Sequence, residues 1–255
     1  MEQRTDNWLE WRSKGIGGSD APIIMGVSPY KTAYQLWEEK TGRVKRESAD
    51  NWATNRGNQL EPIARAKYEL ANDVEMGPAV CQHEKYEFIR ASMDGWNPRL
   101  KRGLEIKFSG KADHEGTRAG KVPEKYWPQV QHQFLATGAE IIDYYSYYVP
   151  KGVDDHQGEG ICLSVKPDLE YIKKYLAIAT YFWECVTSNT PPQMTMSDFK
   201  INRLLIARKA AEEYKAAVAV LFSYGNRVHF KGTGVRVNDG KIEIVEEEKE
   251  KEDGA

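Results

Sequence analysis

The sequence predicts an α/β fold, with a mixed central β-sheet flanked by helices. Three observations carry the expectation. Apolar residues recur at helical spacing over long stretches, as in Leu169, Ile172, Tyr175, Leu176, Ala179 and Phe182. Two runs rich in β-branched and aromatic residues, IIDYYSYYV at 141–149 and GEGICLSV at 158–165, read as strands. The order of segments is helices, a hairpin, a helix, two strands and a helix, which fits helices layered on a sheet.

The chain has 255 residues, 40% of them hydrophobic, enough for one large domain or a domain with an appendage. No run approaches 18 apolar residues, so no membrane-spanning helix is expected. The N-terminus, MEQRTDNWLEWRSK, lacks the apolar core of a signal peptide. Cys81, Cys162 and Cys185 are odd in number and scattered. That argues for a reducing cytoplasm and against a disulfide framework or a four-cysteine metal site. Net charge is −2, but residues 241–255 hold three Lys against seven Asp and Glu, leaving residues 1–240 at +2. A mildly basic body with an acidic tail permits a local basic cleft.

Taken in order, Trp8, Trp11 and Arg12 suggest a short amphipathic helix. Gly15, Gly17 and Gly18 then form a loop that Ser19 would cap as a helix start, with Asp20 in the first turn, offering backbone N–H groups to an anion. Residues 31–42 read as a helix stopped by Gly42, and 43–50 as a polar loop. Residues 51–72 read as a long helix in which Pro62 predicts a break near Leu60–Glu61. Residues 79–93 contain two strand-like runs around Glu84–Lys85, the second leading into Asp94-Gly95, followed by a loop over 96–102. Residues 122–138 look helical and end at Gly138, and 167–188 form an amphipathic helix behind Pro167. Another helix is expected over 195–224, a small meander over 228–245 and a solvated acidic tail beyond. The domain plan is a core over 1–190, a helix-and-meander appendage over 191–245 and a tail over 246–255.

The chemistry concentrates in Ser92–Ser109, SMDGWNPRLKRGLEIKFS. In a strand, Glu105 and Lys107 project from one face and Ile106 from the other. If Asp94 ends the neighbouring hairpin strand, two carboxylates and an ammonium converge. Carboxylates so placed repel unless a cation joins them, and hard oxygen donors suit Mg²⁺. With a lysine beside the site, this set could hydrolyse a phosphodiester. A surface hairpin with a cross-strand ion pair would show the same Glu-x-Lys spacing. In the helix over 122–138, Gln129, Gln131 and Gln133 alternate. Gln131 lies three or four residues from Trp127, Pro128, Phe134 and Leu135, which places its amide at a buried edge where it needs partners.

These motifs, in this order, resemble the lambda-exonuclease/YqaJ-like alkaline exonucleases of the PD-(D/E)xK nuclease superfamily, over roughly residues 7–190. The resemblance implies a restriction-endonuclease-like core. Asp94, in Ser-Met-Asp-Gly, matches the family's metal-binding aspartate, with Met93 where Pro is usual. Glu105 matches the second metal ligand, Lys107 the motif lysine, and the Ile106 carbonyl a further ligand. Glu61, in Gly-Asn-Gln-Leu-Glu-Pro, matches the helical acidic residue, and Gln131, in Gln-Val-Gln, the glutamine beside the attacking water. In W-x-x-W-R-x-x-G-I-x-x-S-D, Arg12 and Ser19 match holders of a 5′-terminal phosphate, and Ser92 is placed to join them. Trp52 or Thr54 would help split the duplex end.

The implied activity is two-metal hydrolysis, with Mg²⁺ or Mn²⁺, of one strand of linear double-stranded DNA from its 5′ end. It would release mononucleotides processively and leave a 3′ single strand. A homotrimeric ring, a single-strand annealing partner and a phage or prophage origin in a bacterial cytoplasm are implied with it. A PD-(D/E)xK endonuclease and a non-catalytic DNA-end-binding module remain alternatives; cutting of closed circles, or end binding without cutting, would separate them.

Overall fold

Five strands make the central sheet, in spatial order β1-β2-β3-β4-β5: β1 Gly77–Gln82, β2 Arg90–Asn97, β3 Arg102–Phe108, β4 Ile141–Tyr148 and β5 Glu159–Val165. The computed structural model describes residues 3–44, 52–195 and 198, and strands at 229–230, 233–238 and 241–246; side chains are described within 3–44, 55–195 and at 198. Neighbouring strands are antiparallel except β3 and β4, which run parallel from Arg102↔Ile141 to Phe108↔Tyr147. A parallel pair needs a crossover. Here it carries α5 Lys111–Arg118 and α6 Trp127–Thr137. The sequence reading missed α5, whose KADHEGTR has little apolar periodicity; only His114 and Thr117 bury. The sheet is mixed and helix-flanked, as expected of the α/β class.

Both faces are covered. On one, α4 Trp52–Asn72 lays Leu60, Ala64 and Tyr68 over Leu104, Ile106, Tyr145 and Tyr147. On the other, α6 and α7 Leu169–Thr187 pack Val130, Phe134, Tyr175 and Phe182 with Met93, Ile142 and Tyr144, joined by Ile16, Ile24 and Trp37 of the N-terminal segment. Buried on both faces, β4 reads as a continuous apolar run apart from Asp143 and Ser146. The Asp143 carboxylate is satisfied by Tyr68 O–H, Arg102 Nε at 2.5 Å and Ser164 Oγ at 2.6 Å. The N-terminal segment forms α1 Asp6–Ser13, the four-residue α2 Ala21–Ile24 and α3 Ala33–Lys40, whose Thr32 and Gln35 make a capping box.

Three expectations change. The helix over Pro62 is unbroken: α4 runs from Trp52 to Asn72, with Pro62 on its exposed side. The missing Pro62 N–H deprives only the Asn58 carbonyl of its helical donor. The second hairpin strand starts at Arg90 and continues through Asp94 to Asn97, so Asp94 lies inside β2 and the hairpin loop shortens to residues 98–101. The helix expected from residue 122 begins at Trp127 and ends as expected at Gly138, whose φ of 64° suits glycine.

Contacts divide the chain into Met1–Asp198 and Phe199–Ala255. The second unit holds an antiparallel meander, β6 His229–Phe230, β7 Thr233–Asn238 and β8 Lys241–Glu246. Residues 45–50 of the expected loop over 43–50, most of the helix over 195–224 and the tail after residue 246 lie outside the described residues. Among the described residues no helix is long and apolar enough to cross a membrane.

Candidate active site

A β-bulge builds the centre. Between paired residues, Gly77 to Ala79 of β1 spans two steps while Trp96 back to Met93 of β2 spans three, so β2 carries one extra residue at Asp94–Gly95. A bulge shifts the alternation of side chains by one. Met93 therefore packs with Ile142 and Val130 on one face, whereas a Cβ at Gly95 would press on Met76 and Leu104 of the other. The β2–β3 ladder is paired only from Asn97↔Arg102 to Gly95↔Leu104. Beyond it the Asp94 carboxylate, through Oδ2, accepts the Ile106 N–H at 2.7 Å, standing in for a strand partner. The Ile106 carbonyl shares that edge of β3, since N–H and C=O of one residue point the same way in a ladder.

Glu105 and Lys107 share a face, as period-two alternation requires, and form an ion pair between Lys107 Nζ and Glu105 Oε1. Glu105 is 2% exposed. Gln129 Nε2 donates to its Oε1 at 2.6 Å, and Gln133 Nε2 donates to Oε2. Lys107 Nζ also stands 5.1 Å from the centre of the Tyr126 ring. Burial, then the charges of Glu105 and Glu61, raises the Asp94 carboxyl well above its ordinary range despite Lys107 and the Ile106 N–H. Burial works against the Lys107 ammonium, but Glu105 and Asp94 outweigh it and raise its pKa.

The glutamine assignment needs correcting. Gln131 is fully buried, but its Oε1 accepts the Asp168 N–H at 2.9 Å, on the side of α7. The glutamines that reach Glu105 are Gln129 and Gln133. Residues four apart on a helix share a face, and the residue midway between them points away. That spacing was legible in the sequence; what was missing was which face the sheet would take.

Glu61 approaches from α4, on the opposite face of the sheet from α6. Arg4 pairs with its Oε2, Arg65 Nη1 lies 3.5 Å from its Oε1, and the same Arg65 atom donates to the Asp94 carbonyl at 2.7 Å. Among the described residues no three His, Cys, Asp or Glu side chains gather closely enough to hold an ion as they stand. The contacts give the reason: Glu61 is engaged by two arginines, and Glu105 by a lysine and two amides. The donor set still suits a hard divalent cation. Glu61, Asp94, Glu105 and Ile106 border one cleft, and the Asp94 carboxyl, raised by burial and then by the charges of Glu105 and Glu61, sits where a cation would offset that cost.

The N-terminal segment closes the other side. Arg12 donates to Ser19 Oγ and lies over the Trp8 ring at 5.0 Å, and Trp8 Nε1 donates to Ser92 Oγ at 2.9 Å. Arg12, Ser19 and Ser92 are thus brought together around Trp8, the first residue of the W-x-x-W-R motif, to which the sequence reading assigned no role of its own at the site. The expected helix start at Ser19 is absent. Gly17 caps a three-residue 3-10 turn, Gly18–Asp20, and its N–H is already taken by Asp20 Oδ2 at 3.0 Å. Trp52 opens α4, but its side chain, like that of Thr54, lies outside the described residues. One cleft of about 1030 Å³ is bordered by Arg12, Ser19, Ser92, Glu61, Asp94, Glu105, Lys107 and Gln129 together.

Residues 7–140 match the YqaJ-like viral recombinase domain. The chain is 36% identical over 141 residues to the uncharacterized protein YqaJ of Bacillus subtilis strain 168, covering 54% of this chain and 44% of that protein. It is 29% identical over 158 residues to an uncharacterized protein of Acanthamoeba polyphaga mimivirus, covering 56% of this chain and 29% of that one. The chain thus spans less than half the length of these curated relatives. In structure it is similar to the alkaline exonuclease LHK-Exo of Laribacter hongkongensis, with a TM-score of 0.61 at 23% identity over 82% of this chain and 99% of that one. The complex of LHK-Exo with dAMP matches with a TM-score of 0.62 at 22% identity.

Proposed function

The chain belongs to the YqaJ-like viral recombinase domain family, and from that premise we propose that it is a 5′-to-3′ exonuclease. It would digest one strand of linear double-stranded DNA to mononucleotides, using a divalent metal. The 3′ single strand left behind would serve recombination by single-strand annealing. One observation carries the reading: a single cleft holds both the Asp94–Glu105–Lys107 cluster and the Arg12–Ser19–Ser92 group. A hydrolytic centre beside an anion pocket suits removal of a terminal nucleotide, because only a chain end fills the pocket.

Glu61, Asp94, Glu105 and the Ile106 carbonyl would hold two Mg²⁺ ions, with Mn²⁺ able to substitute. Such ions would supply positive charge to the phosphoryl oxygens and acidify a water. Lys107, whose ammonium is paired with Glu105 and backed by the Tyr126 ring, would donate to the attacking water or to a phosphate oxygen. Gln129 and Gln133 hold both oxygens of Glu105, which fixes the orientation of this carboxylate in the cleft, and a bound ion would share or displace those contacts. Arg12, Ser19 and Ser92 would seat the 5′ phosphate, and a guanidinium suits a phosphate's geometry. We extend the proposal to a homotrimeric ring around DNA and to an annealing protein that receives the 3′ strand. Support for the product class comes from LHK-Exo, a named alkaline exonuclease crystallised with dAMP.

The test is Mg²⁺-dependent digestion of a linear duplex phosphorylated at the 5′ end of one strand, beside a closed circle and a Lys107→Ala control. Loss of the phosphorylated strand alone, with circle and control intact, is expected. Cutting of the circle would replace the proposal with an endonuclease.

A further inference from the structure

A buried ion pair stands behind the anion pocket, and the chemistry proposed above does not use it. Asp20 is 2% exposed, and Lys40 Nζ reaches its Oδ2 at 2.8 Å with side-chain exposures of 5% for the lysine and 3% for the aspartate. Lys40 Nζ also donates to the Gly15 carbonyl at 2.6 Å, and Asp20 Oδ2 accepts the Gly17 N–H at 3.0 Å. The pair therefore grips the backbone on both sides of Ile16. Ile16 itself is fixed by its N–H to the Phe88 carbonyl at 2.6 Å and by its carbonyl to the Arg90 N–H at 2.9 Å. The next residues supply the pocket: Ser19 precedes Asp20, and Arg12 donates to Ser19.

Burying two opposite charges is expensive, and apolar residues of similar volume would usually stabilise as well. The location suggests why charge is used. A Cβ added at Gly17 would lie 3.4 Å from Arg12 Nε and 3.7 Å from Asp20 Oδ2, so guanidinium and carboxylate flank one backbone position. Asp20 is well placed to fold the turn, because it accepts the Gly17 N–H. Alone, it would set a negative charge beside a site for a phosphate and draw on the charge of Arg12. Lys40 cancels it, so Asp20, Lys40 and Arg12 together remain net cationic.

We propose that Lys40 is a positioning and charge-balancing residue for the 5′-phosphate pocket: by neutralising Asp20, it lets that carboxylate hold the Gly17–Ser19 turn without repelling the phosphate. This rests on the terminal-phosphate reading above. Its consequence is selective. Cleavage from 5′-phosphorylated ends depends on Lys40, and cleavage from 5′-hydroxyl ends depends on it far less.

The experiment compares kcat and KM on duplexes with 5′-phosphate or 5′-hydroxyl ends for the wild type, Arg12→Ala, Lys40→Met and the double variant Asp20→Asn/Lys40→Met, with thermal melts as a folding check. Lys40→Met should lower the phosphate-to-hydroxyl ratio on the order of tenfold, mainly through KM, as expected for an uncompensated like charge a few Å away. The double variant keeps a neutral acceptor for the Gly17 N–H and should hold the ratio near the wild-type value, although it has no ion pair. Loss of the ratio in the double variant overturns the proposal, and so does an equal loss on both ends in Lys40→Met. If Arg12→Ala leaves the ratio unchanged, the terminal-phosphate reading itself fails. If Arg12→Ala collapses the ratio and Lys40→Met does not, only the role of Lys40 fails.

Discussion

Gln129 and Gln131 differ by two positions and should fail in opposite ways. Gln129 Nε2 donates to Glu105 Oε1 at 2.6 Å, a hydrogen bond to a buried carboxylate. Such a bond contributes about 1.5–3 kcal/mol. If Glu105 must be held in place during hydrolysis, Gln129→Ala should lower kcat about 10- to 150-fold, and its melting should fall less than that of Gln131→Ala, because Gln133 and Lys107 still engage Glu105. Gln131 instead accepts the Asp168 N–H at 2.9 Å, and Asp168 caps α7 through the Tyr171 N–H at 3.0 Å. Gln131→Ala removes that acceptor and opens space in the interior, at a cost of about 1–3 kcal/mol. At about 2–4 °C per kcal/mol for a domain of this size, Tm should fall by about 2–12 °C while kcat stays near wild type. Scanning calorimetry and initial rates on a linear duplex at saturating Mg²⁺ read the two effects separately. A Gln131→Ala variant that melts normally yet loses as much rate as Gln129→Ala would refute the assignment of faces.

Gly95 has no room for a side chain: a Cβ there would meet Met76 Cβ at 2.8 Å and Leu104 Cβ at 3.0 Å. Gly95→Ala should therefore cost about 1–3 kcal/mol and, by shifting the bulge that aims Asp94, more activity than stability alone explains; full activity in a destabilised variant would argue against this. Arg4 pairs with the Glu61 carboxylate, so Arg4→Ala should lower the Mg²⁺ concentration for half-maximal activity roughly two- to fivefold, as suits a half-exposed pair; an unchanged Mg²⁺ titration would show that Arg4 does not compete with the ion. His132 is buried, with Nε2–H donating to the Arg90 carbonyl at 2.7 Å and Nδ1 accepting from Tyr175 O–H at 2.7 Å, and burial pushes its pKa down to about 4. Since the unfolded state then binds the extra proton between about pH 6.5 and 4, stability present above that window should be lost as pH falls through it, by up to about 3 kcal/mol. Urea midpoints should fall across the window more for wild type than for His132→Gln, and equal falls would place the pH dependence elsewhere.

Local chemistry made part of this protein readable without coordinates. Alternation along a strand put Glu105 and Lys107 on one face, so their pairing follows from near neighbours, whereas Arg12 and Ser19 were joined only by the family resemblance before the fold showed them in contact. Helical periodicity and the Gly138 stop made α6 and α7 visible, and the apolar run of β4 announced a central strand. The rest depended on partners distant in sequence. Trp8 meets Ser92 across 84 residues, and Arg4 meets Glu61 across 57. Whether Gln129 or Gln131 faces the carboxylates depends on how α6 rolls against the sheet, which its own periodicity leaves open. The extra residue at Asp94–Gly95 shows only in the register of β2 against β1. The amino-acid sequence determined which groups are available and how each projects from its own element. The tertiary structure decided which of them meet, because register and helix roll are set by hydrogen bonds and packing between segments that sequence-local forces do not connect.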